Sequence, residues 1–570
     1  MKEFIKKIYL AFFFVIILFI NTKVLSKESK NDYSSDTISS YFSGTVSFDN
    51  YNTENAYRYL EKIKEKKITH NNYNIKYIHT LVLLKKFDQA FAFSKKLQEK
   101  NNSFFETNLL LGIHSFIKED YIQAEKYFIS LNKVSQRNLL YKGFLGNILL
   151  SWVNAAKNNK EESFNYYDRI NHQYYNLKRI QNTFLQCYFD TSKTELSFQK
   201  LINDKEYIFS RYNFFLANYL LHKDKNQKAK EIIYRSSETY SSNVLLKQME
   251  NFISDGEVNK ITKLFNCKNP KDNIAEIFYV LANLSSSQND YQLSNFYLNI
   301  SLFLNNKFTP NKALLAENFF YQQKYKKSKK IYNSLKQIGS IYSWYAAKSI
   351  TTILSSLGDR ESSVLNLEKE FQVLTNPNFQ NYYEMGNFYK DNKYYEKAVK
   401  QYSVALKKVN EDHSLVPKIL FRRGTCYERL NIWDKAEIDL TESLAILPNQ
   451  PFVLNYLAYS WTEKKINIKA ALEMLNLASE LEQDNGYILD SLGWAHYVNK
   501  DYIKAENFLR RAVELMPLEP VINDHYADTL WQLNKHIQAR YFWEQVLDLK
   551  DIEKDLKENI IKKLVFGHTK

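Results

Sequence analysis

The chain has 570 residues, of which only 12 are glycine and 8 are proline, and its formal net charge is +15. So few turn-forming residues exclude a protein built mainly of sheets joined by tight turns and favour a nearly all-helical protein. The charge comes mostly from lysines interleaved with glutamate and aspartate, which predicts a solvated basic surface, so we expect no nucleic-acid partner.

The first 26 residues are typical of a secretory signal peptide. A basic segment, MKEFIKK, precedes the apolar run 8–20, which is too short to span a bilayer comfortably. Val24 and Ser26 stand where a signal peptidase prefers small residues, and no cysteine lies nearby for lipidation as a bacterial lipoprotein. The sequence therefore predicts export to the periplasm. The alternative is an uncleaved anchor in the inner membrane that faces the periplasm, and we expect no other membrane contact.

A polar segment follows the predicted signal and separates it from the helical part of the chain. Residues 27–38 are almost all polar or charged, a composition that predicts a disordered linker. Helix-period patterning begins at about residue 39 and continues through most of the remaining chain.

Small residues recur at a fixed spacing along this helical part. In a unit that begins at Gly486, the small residues Gly493, Ala505 and Ala512 occupy positions eight, twenty and twenty-seven, and Pro517 follows at position thirty-two. The same frame fits units that open at Phe105, Ala275, Phe379, Pro417, Pro451 and Pro520. This spacing is the tetratricopeptide (TPR) pattern of about 34 residues.

The TPR frame predicts an all-α fold, a superhelix of tandem antiparallel helix pairs. Positions eight and twenty lie where the two helices of a pair approach most closely, so only small side chains fit there. Because proline cannot continue a helix, position thirty-two ends the unit. The sequence predicts degenerate TPR-like repeats over 39–270, clearer TPR repeats over 271–550, and a capping helix and tail over 551–570.

Three segments carry a resemblance to a known family. They are QPFVLNYLAYSWTEKK, NGYILDSLGWAHYVNKDYIKAENFLRRAVEL and PVINDHYADTLWQLNKHIQARYFWEQVLDL, which follow one another from 450 to 549. The chain resembles long TPR proteins of Gram-negative and especially alphaproteobacterial cell envelopes. This resemblance implies a non-catalytic interaction scaffold. It also implies an alternative, a regulatory adaptor that activates an envelope enzyme such as a carboxyl-terminal processing protease.

The sequence contains no motif for catalysis or for cofactor binding. It lacks a glycine-rich phosphate loop and the HExxH metalloprotease motif, and its ten histidines are dispersed. Cys187, Cys267 and Cys426 are far apart and odd in number, so we expect buried, unpaired side chains rather than a disulfide framework or a metal site. We therefore expect no enzyme activity, no cofactor and no metal ion.

The last two units predict a surface for a protein or peptide partner. In TPR proteins, positions two, five, nine, twelve and thirteen of each unit generally face the concave groove. Aromatic side chains are frequent binding anchors, and carboxylates there select a basic partner segment. A metal ion held by the three aspartates is a less favoured interpretation, and packing of each tryptophan on a neighbouring helix is an alternative for the rings. The predicted partner-binding residues are Tyr487, Asp490, Trp494, Tyr497, Asp524, Asp528 and Trp531.

Overall fold

A computed structural model describes residues 34–64, 70–135, 142–374, 376–549 and 552–568. The predicted signal peptide or anchor, 1–26, lies outside the described residues. Within those ranges all regular secondary structure is helical, as the composition predicts. The chain forms two compact units, of which the first ends at Asp359 and the second begins at Arg360. The repeat boundary that the sequence suggests near residue 270 therefore falls inside the first unit.

The first unit contains nineteen α-helices and one short 3₁₀ helix, His172–Tyr174, in its described residues. The α-helices are α1 (Ser35–Asp49), α2 (Thr53–Glu61), α3 (Asn71–Leu83), α4 (Phe87–Glu99), α5 (Phe105–Ile117), α6 (Tyr121–Ser135), α7 (Leu145–Ala156), α8 (Lys160–Asp168), α9 (Tyr175–Tyr188), α10 (Thr194–Ile202), α11 (Tyr212–Leu221), α12 (Asn226–Thr239), α13 (Val244–Ser254), α14 (Val258–Thr262), α15 (Pro270–Ser287), α16 (Tyr291–Leu304), α17 (Thr309–Tyr321), α18 (Tyr325–Leu335) and α19 (Ser340–Ser356).

In its described residues, the second unit begins with one helix, continues with five antiparallel helix pairs that follow the repeat frame, and ends with one further helix. Its helices are α20 (Arg360–Gln372), α21 (Phe379–Asp391), α22 (Tyr395–Lys408), α23 (Val416–Arg429), α24 (Trp433–Ile446), α25 (Pro451–Glu463), α26 (Ile468–Leu481), α27 (Gly486–Val498), α28 (Tyr502–Leu515), α29 (Pro520–Gln532), α30 (His536–Asp548) and α31 (Lys554–Phe566). The predicted all-α TPR fold is confirmed.

The first described helix, α1, begins earlier than the composition suggests. Its first residue, Ser35, lies inside the segment 27–38 for which the polar composition predicts disorder. The side chain of Ser34 accepts a hydrogen bond from the Thr37 backbone N–H at 3.3 Å, and Thr37 is buried. A serine N-cap and one buried contact therefore extend helical structure into a polar stretch.

The small residue at position eight of each unit makes room for a large side chain on the second helix of the pair. A Cβ atom on Gly493 would lie 2.6 Å from Leu509, and one on Gly386 would lie 2.6 Å from Tyr402. Both partners occupy position twenty-four, whereas the sequence suggests position twenty as the point of closest approach. The buried alanines at position twenty, such as Ala505, still provide close packing. In these two units glycine is needed at position eight because a bulkier residue would force the two helices apart.

Within the first unit, the N-terminal helices contact helices more than 200 residues later. The ring of His79 on α3 stacks on Phe296 of α16 at a centroid distance of 4.1 Å, and Phe87 stacks on Phe303 at 4.0 Å. The side chain of Gln292 donates a hydrogen bond to the Phe48 carbonyl oxygen at 3.2 Å. These contacts differ from those of an ideal solenoid, in which each repeat contacts only its neighbours.

A disulfide joins Cys187 at the end of α9 to Cys267 just before α15, across a sequence separation of 80 residues. The prediction that the cysteines are unpaired is therefore wrong for these two residues and holds for Cys426, which is free and buried. Sequence spacing could not indicate the pairing because the two cysteines meet only after the helices between them have packed. Their Cα atoms lie 6.0 Å apart, within the usual range for a disulfide.

The final helix, α31, lies against the last helix pair. Its Ile560 is fully buried in a cluster that contains Trp543 and Val546 of α30. The same helix also exposes apolar side chains, among them Val565 and Phe566, which are 64% and 76% exposed. A helix that only closed a solenoid would turn a polar face to the solvent, so the exposed side of α31 departs from that expectation.

Candidate partner-binding groove

The carboxylate of Asp490 on α27 contacts the ring of His525 on α29. His525 Nδ1 lies 2.9 Å from Asp490 Oδ1, and both residues are buried. Burial by itself lowers the pKa of His525, but the nearby carboxylates of Asp490, Asp524 and Asp528 raise the pKa above its usual value. The surrounding carboxylates therefore favour the charged form of the ring, which pairs with Asp490.

Two predicted aromatic residues stack beside this pair. The ring of Trp494 lies 4.0 Å from that of His525 and 4.6 Å from that of Tyr497, in both cases nearly parallel. Trp494 Nε1 donates a hydrogen bond to Glu463 Oε1 of α25 at 2.5 Å. The stack therefore links α25, α27 and α29, which are the first helices of three consecutive repeats, into one wall of the groove.

Lys563 of α31 reaches into the groove and contacts both remaining aspartates. Its Nζ atom lies 2.8 Å from each carboxylate oxygen of Asp524 and 2.8 Å from Oδ2 of Asp528. Asp524 also accepts a hydrogen bond from Trp543 Nε1 at 3.0 Å. The sequence predicts a basic partner for these carboxylates, and the chain itself supplies a basic group, Lys563.

Sequence reasoning missed Lys563 as a groove residue. The signal that could have found it is its spacing, since Lys563 lies three residues after Ile560 and therefore on the same face of α31. A lysine on the apolar face of a helix needs a charged partner, and the carboxylates of α29 are close enough to provide one.

One oxygen of Asp528 lacks a hydrogen bond even though the residue is buried. Among the described residues, Oδ1 has no hydrogen-bond partner, and His568 Nδ1 lies 3.8 Å from it. Burial, and then the neighbouring Asp524 carboxylate, raise the pKa of Asp528 to about 7, against the opposing effects of Lys563 and His525. Burial also lowers the pKa of His568. In the described part of the chain, Asp490 thus pairs with His525, whereas Asp524 and Asp528 pair with Lys563.

A cavity of about 670 Å³ opens beside this cluster. One wall consists of Glu463, Trp494, Asp524, His525 and Asp528, and the other consists of the C-terminal segment. The residues of that second wall are Asn559, Lys562, Lys563, Phe566, Gly567 and His568. An acidic and aromatic wall next to open space is suited to a cationic side chain, which both the carboxylates and the ring faces attract.

Tyr487 and Trp531 do not line this cavity. Tyr487 is 51% exposed, and its hydroxyl donates a hydrogen bond to Glu519 Oε1 at 3.0 Å. Trp531 lies under Gly567, where an added Cβ atom would be 2.2 Å from its ring. The structure therefore brings together five of the seven predicted residues, Asp490, Trp494, Tyr497, Asp524 and Asp528.

The described ranges contain neither a metal-ion site nor a helix that could span a membrane. In those ranges, no group of three or more histidine, cysteine, aspartate or glutamate residues is arranged to hold a metal ion. The helices there are also too short or too polar to cross a membrane.

Comparisons with known proteins support the repeat assignment. No protein-family model matches the chain. A TPR repeat-containing protein of Pseudomonas aeruginosa is 28% identical over 167 residues, which make up 29% of this chain and 28% of that protein. A homologue of the lipoprotein NlpI from Haemophilus influenzae is 34% identical over 94 residues, which make up 16% of this chain and 29% of that protein. The repeats are tetratricopeptide repeats.

These relatives match only part of the chain, which spans less than a third of the length of each. Among solved structures, a TPR protein of Thermus thermophilus has 18% identity and a TM-score of 0.29, with 33% of this chain and 100% of that chain covered. Yeast Tom70 has 17% identity and a TM-score of 0.33, with 81% of this chain and 94% of that chain covered.

Proposed function

We propose that this TPR chain is a non-catalytic scaffold of the bacterial cell envelope that binds a basic segment of a protein partner in the groove of α25, α27 and α29. The observation that carries the proposal is the unsatisfied Asp528 carboxylate, which lines an open cavity. Asp528 Oδ1 is buried without a hydrogen-bond partner among the described residues, so this carboxylate has room for one further cationic partner. A lysine or arginine of the partner would supply it, because buried carboxylates are stabilised by paired cations.

The aromatic residues of the same wall would give the partner an apolar contact. Trp494 and Tyr497 are only half-buried, and their stacked rings leave one edge of the wall accessible. Aromatic residues in this kind of setting often contribute about 2 kcal/mol or more to binding when a partner covers them. The glutamate that holds the Trp494 ring, Glu463, adds a further carboxylate to the cavity wall.

The proposed partner can be tested by cross-linking in cells. A photoreactive amino acid at Lys562, which is exposed and lines the cavity, should capture the partner from the native host. We expect Asp528→Asn to reduce the captured yield at least about tenfold, since a hydrogen bond to a charged group is worth about 1.5–3 kcal/mol. Mass spectrometry of the cross-linked product measures the yield.

A matched control for this experiment is Glu473→Gln, which neutralises an exposed carboxylate on α26. We expect this variant to capture the partner as well as the unchanged chain does. If Asp528→Asn and Glu473→Gln give the same yield, the cavity is not the binding site.

We further propose that the chain is exported across the inner membrane and functions in the periplasm. The signal-like N-terminus, the Cys187–Cys267 disulfide and the relative named as a homologue of a lipoprotein support this location. Disulfides persist in oxidising compartments such as the periplasm and are rare in the cytosol.

Thiol labelling in cells tests the location. Cells are lysed directly into a solution that contains the alkylating reagent and a denaturant. We expect Cys187 and Cys267 to resist alkylation because they are joined in a disulfide, whereas the free thiol of Cys426 reacts. Deletion of residues 2–26 should retain the chain in the reducing cytosol and make all three thiols reactive. Full alkylation of Cys187 in the unaltered chain would contradict the proposed location.

A further inference from the structure

We infer that the groove is a receptor for a lysine-bearing helix and that α31 is an exchangeable occupant, which a partner helix replaces. The inference rests on the proposed function because it names the kind of partner and the regulation of the same groove. It follows from three features of α31: where it lies, how it is held, and what its own sequence leaves unsatisfied.

The C-terminal segment covers residues that the sequence predicts for partner binding. Lys563 contacts Asp524 and Asp528, and Gly567 packs on Trp531. The position of the bound lysine shows what chemistry the groove accepts, namely an ammonium group carried on a helix. A partner with the same feature would compete for the same carboxylates.

Few contacts hold α31 in this position. Within the helix only Ile560 and Lys563 are buried, whereas the neighbouring α29 buries nine of its residues. Transferring the lysine and its carboxylate partners out of water offsets much of their attraction, so the ion pair adds little net stability. Leu556 and Leu564 are only partly buried against the same cluster as Ile560. One fully buried apolar side chain, two partly buried ones and an ion pair form an attachment that a competing helix can displace.

The exposed face of α31 is consistent with a segment that leaves the groove. Ile561, Val565 and Phe566 are 45%, 64% and 76% exposed. Exposed apolar surface of this kind marks an interaction site more often than a permanent outer wall. The helix therefore carries exposed apolar side chains that other surfaces can cover after its release.

The unfilled position beside Asp528 gives a partner its advantage over α31. Asn559 lines the cavity and lies one helical turn before Lys563, on the same face of the helix. A partner helix with a lysine at each of these two positions would bring a second cation into the cavity that Asp528 lines, as well as the one that Lys563 provides. Such a helix should bind more tightly than α31 itself.

Peptides with the sequence of residues 552–568 test this inference on the full-length chain. One labelled peptide keeps the native sequence, and a second carries Asn559→Lys. Fluorescence anisotropy measures binding to the unchanged protein and to an Ile560→Asp variant, in which a buried carboxylate releases α31. We expect the variant to bind both peptides at least tenfold more tightly than the unchanged protein does, because its own competitor has left the groove.

The second peptide and a groove variant complete the test. We expect the Asn559→Lys peptide to bind about tenfold more tightly than the native-sequence peptide. Adding Asp524→Asn to the Ile560→Asp chain should weaken both peptides at least tenfold. Equal affinity of the unchanged protein and the folded Ile560→Asp variant for the peptides would overturn the inference.

Hydrogen exchange gives a second readout that needs no substitution in the protein. An excess of the Asn559→Lys peptide should speed exchange of the α31 amides in the unchanged chain, while the amides of α29 stay protected. If α31 stays as protected as it is without peptide, the helix is a fixed cap and the inference is wrong.

The peptide and cross-linking experiments separate the two proposals. Peptide binding without cellular capture would overturn only the proposed function. Cellular capture without peptide binding would overturn only this inference.

Discussion

We expect the Cys187→Ser/Cys267→Ser protein to lose about 4 kcal/mol of unfolding free energy relative to the unchanged chain. The disulfide closes a segment with a sequence separation of 80 residues, and such a cross-link mainly restricts the unfolded ensemble. Urea unfolding followed by circular dichroism measures the change, as a lower midpoint of the transition that belongs to the first unit.

Reductant provides the control for this effect. Dithiothreitol should lower the midpoint of the unchanged chain and of a Cys426→Ser chain, both of which keep the cross-link. The same reductant should leave the double serine variant unaffected. Equal midpoints for the oxidised unchanged chain and the double variant would show that the cross-link does not stabilise the first unit.

The second large effect concerns a buried ion pair in the same unit, where we expect Glu276→Ala to cost about 3–5 kcal/mol. Both carboxylate oxygens of Glu276 lie 2.6 Å from guanidinium nitrogens of Arg211, just before α11, and the Tyr212 hydroxyl donates to the same carboxylate at 3.2 Å. Glu276 is only 2% exposed. Its removal leaves the Arg211 charge in an apolar setting against the Tyr279 ring, whose centroid is 4.1 Å away.

A solvent-exposed pair serves as the matched control. Lys397 contacts Glu368 at 2.8 Å, but the lysine side chain is 50% exposed, so Lys397→Ala should change the unfolding free energy by less than about 1 kcal/mol. Replacing both buried partners, as Arg211→Met with Glu276→Leu, should recover most of the loss, because no charge is then buried alone. A Glu276→Ala protein as stable as the Lys397→Ala protein would contradict this account. Chemical unfolding monitored by tyrosine and tryptophan fluorescence makes the comparison.

The candidate groove was partly predictable from the repeat spacing. Positions five and nine of the last two units select Asp490, Asp524 and Asp528, and the structure places all three in one buried cluster. The spacing gave no indication that Lys563 would pair with two of them, since residues outside the repeat have no position in the frame. It also could not show that Trp531 lies beneath Gly567, because that contact depends on how the tail follows α31.

The helical repeat itself follows from local information. Residues three or four apart lie on one face of a helix, so the spacing of small and apolar residues is enough to predict the pairing of α27 with α28 and of α29 with α30. Contacts between distant segments carry no such periodic signal. The Cys187–Cys267 bond, the stacking of His79 on Phe296 and the seating of Lys563 in the groove arise only when packed helices bring those residues within a few ångströms.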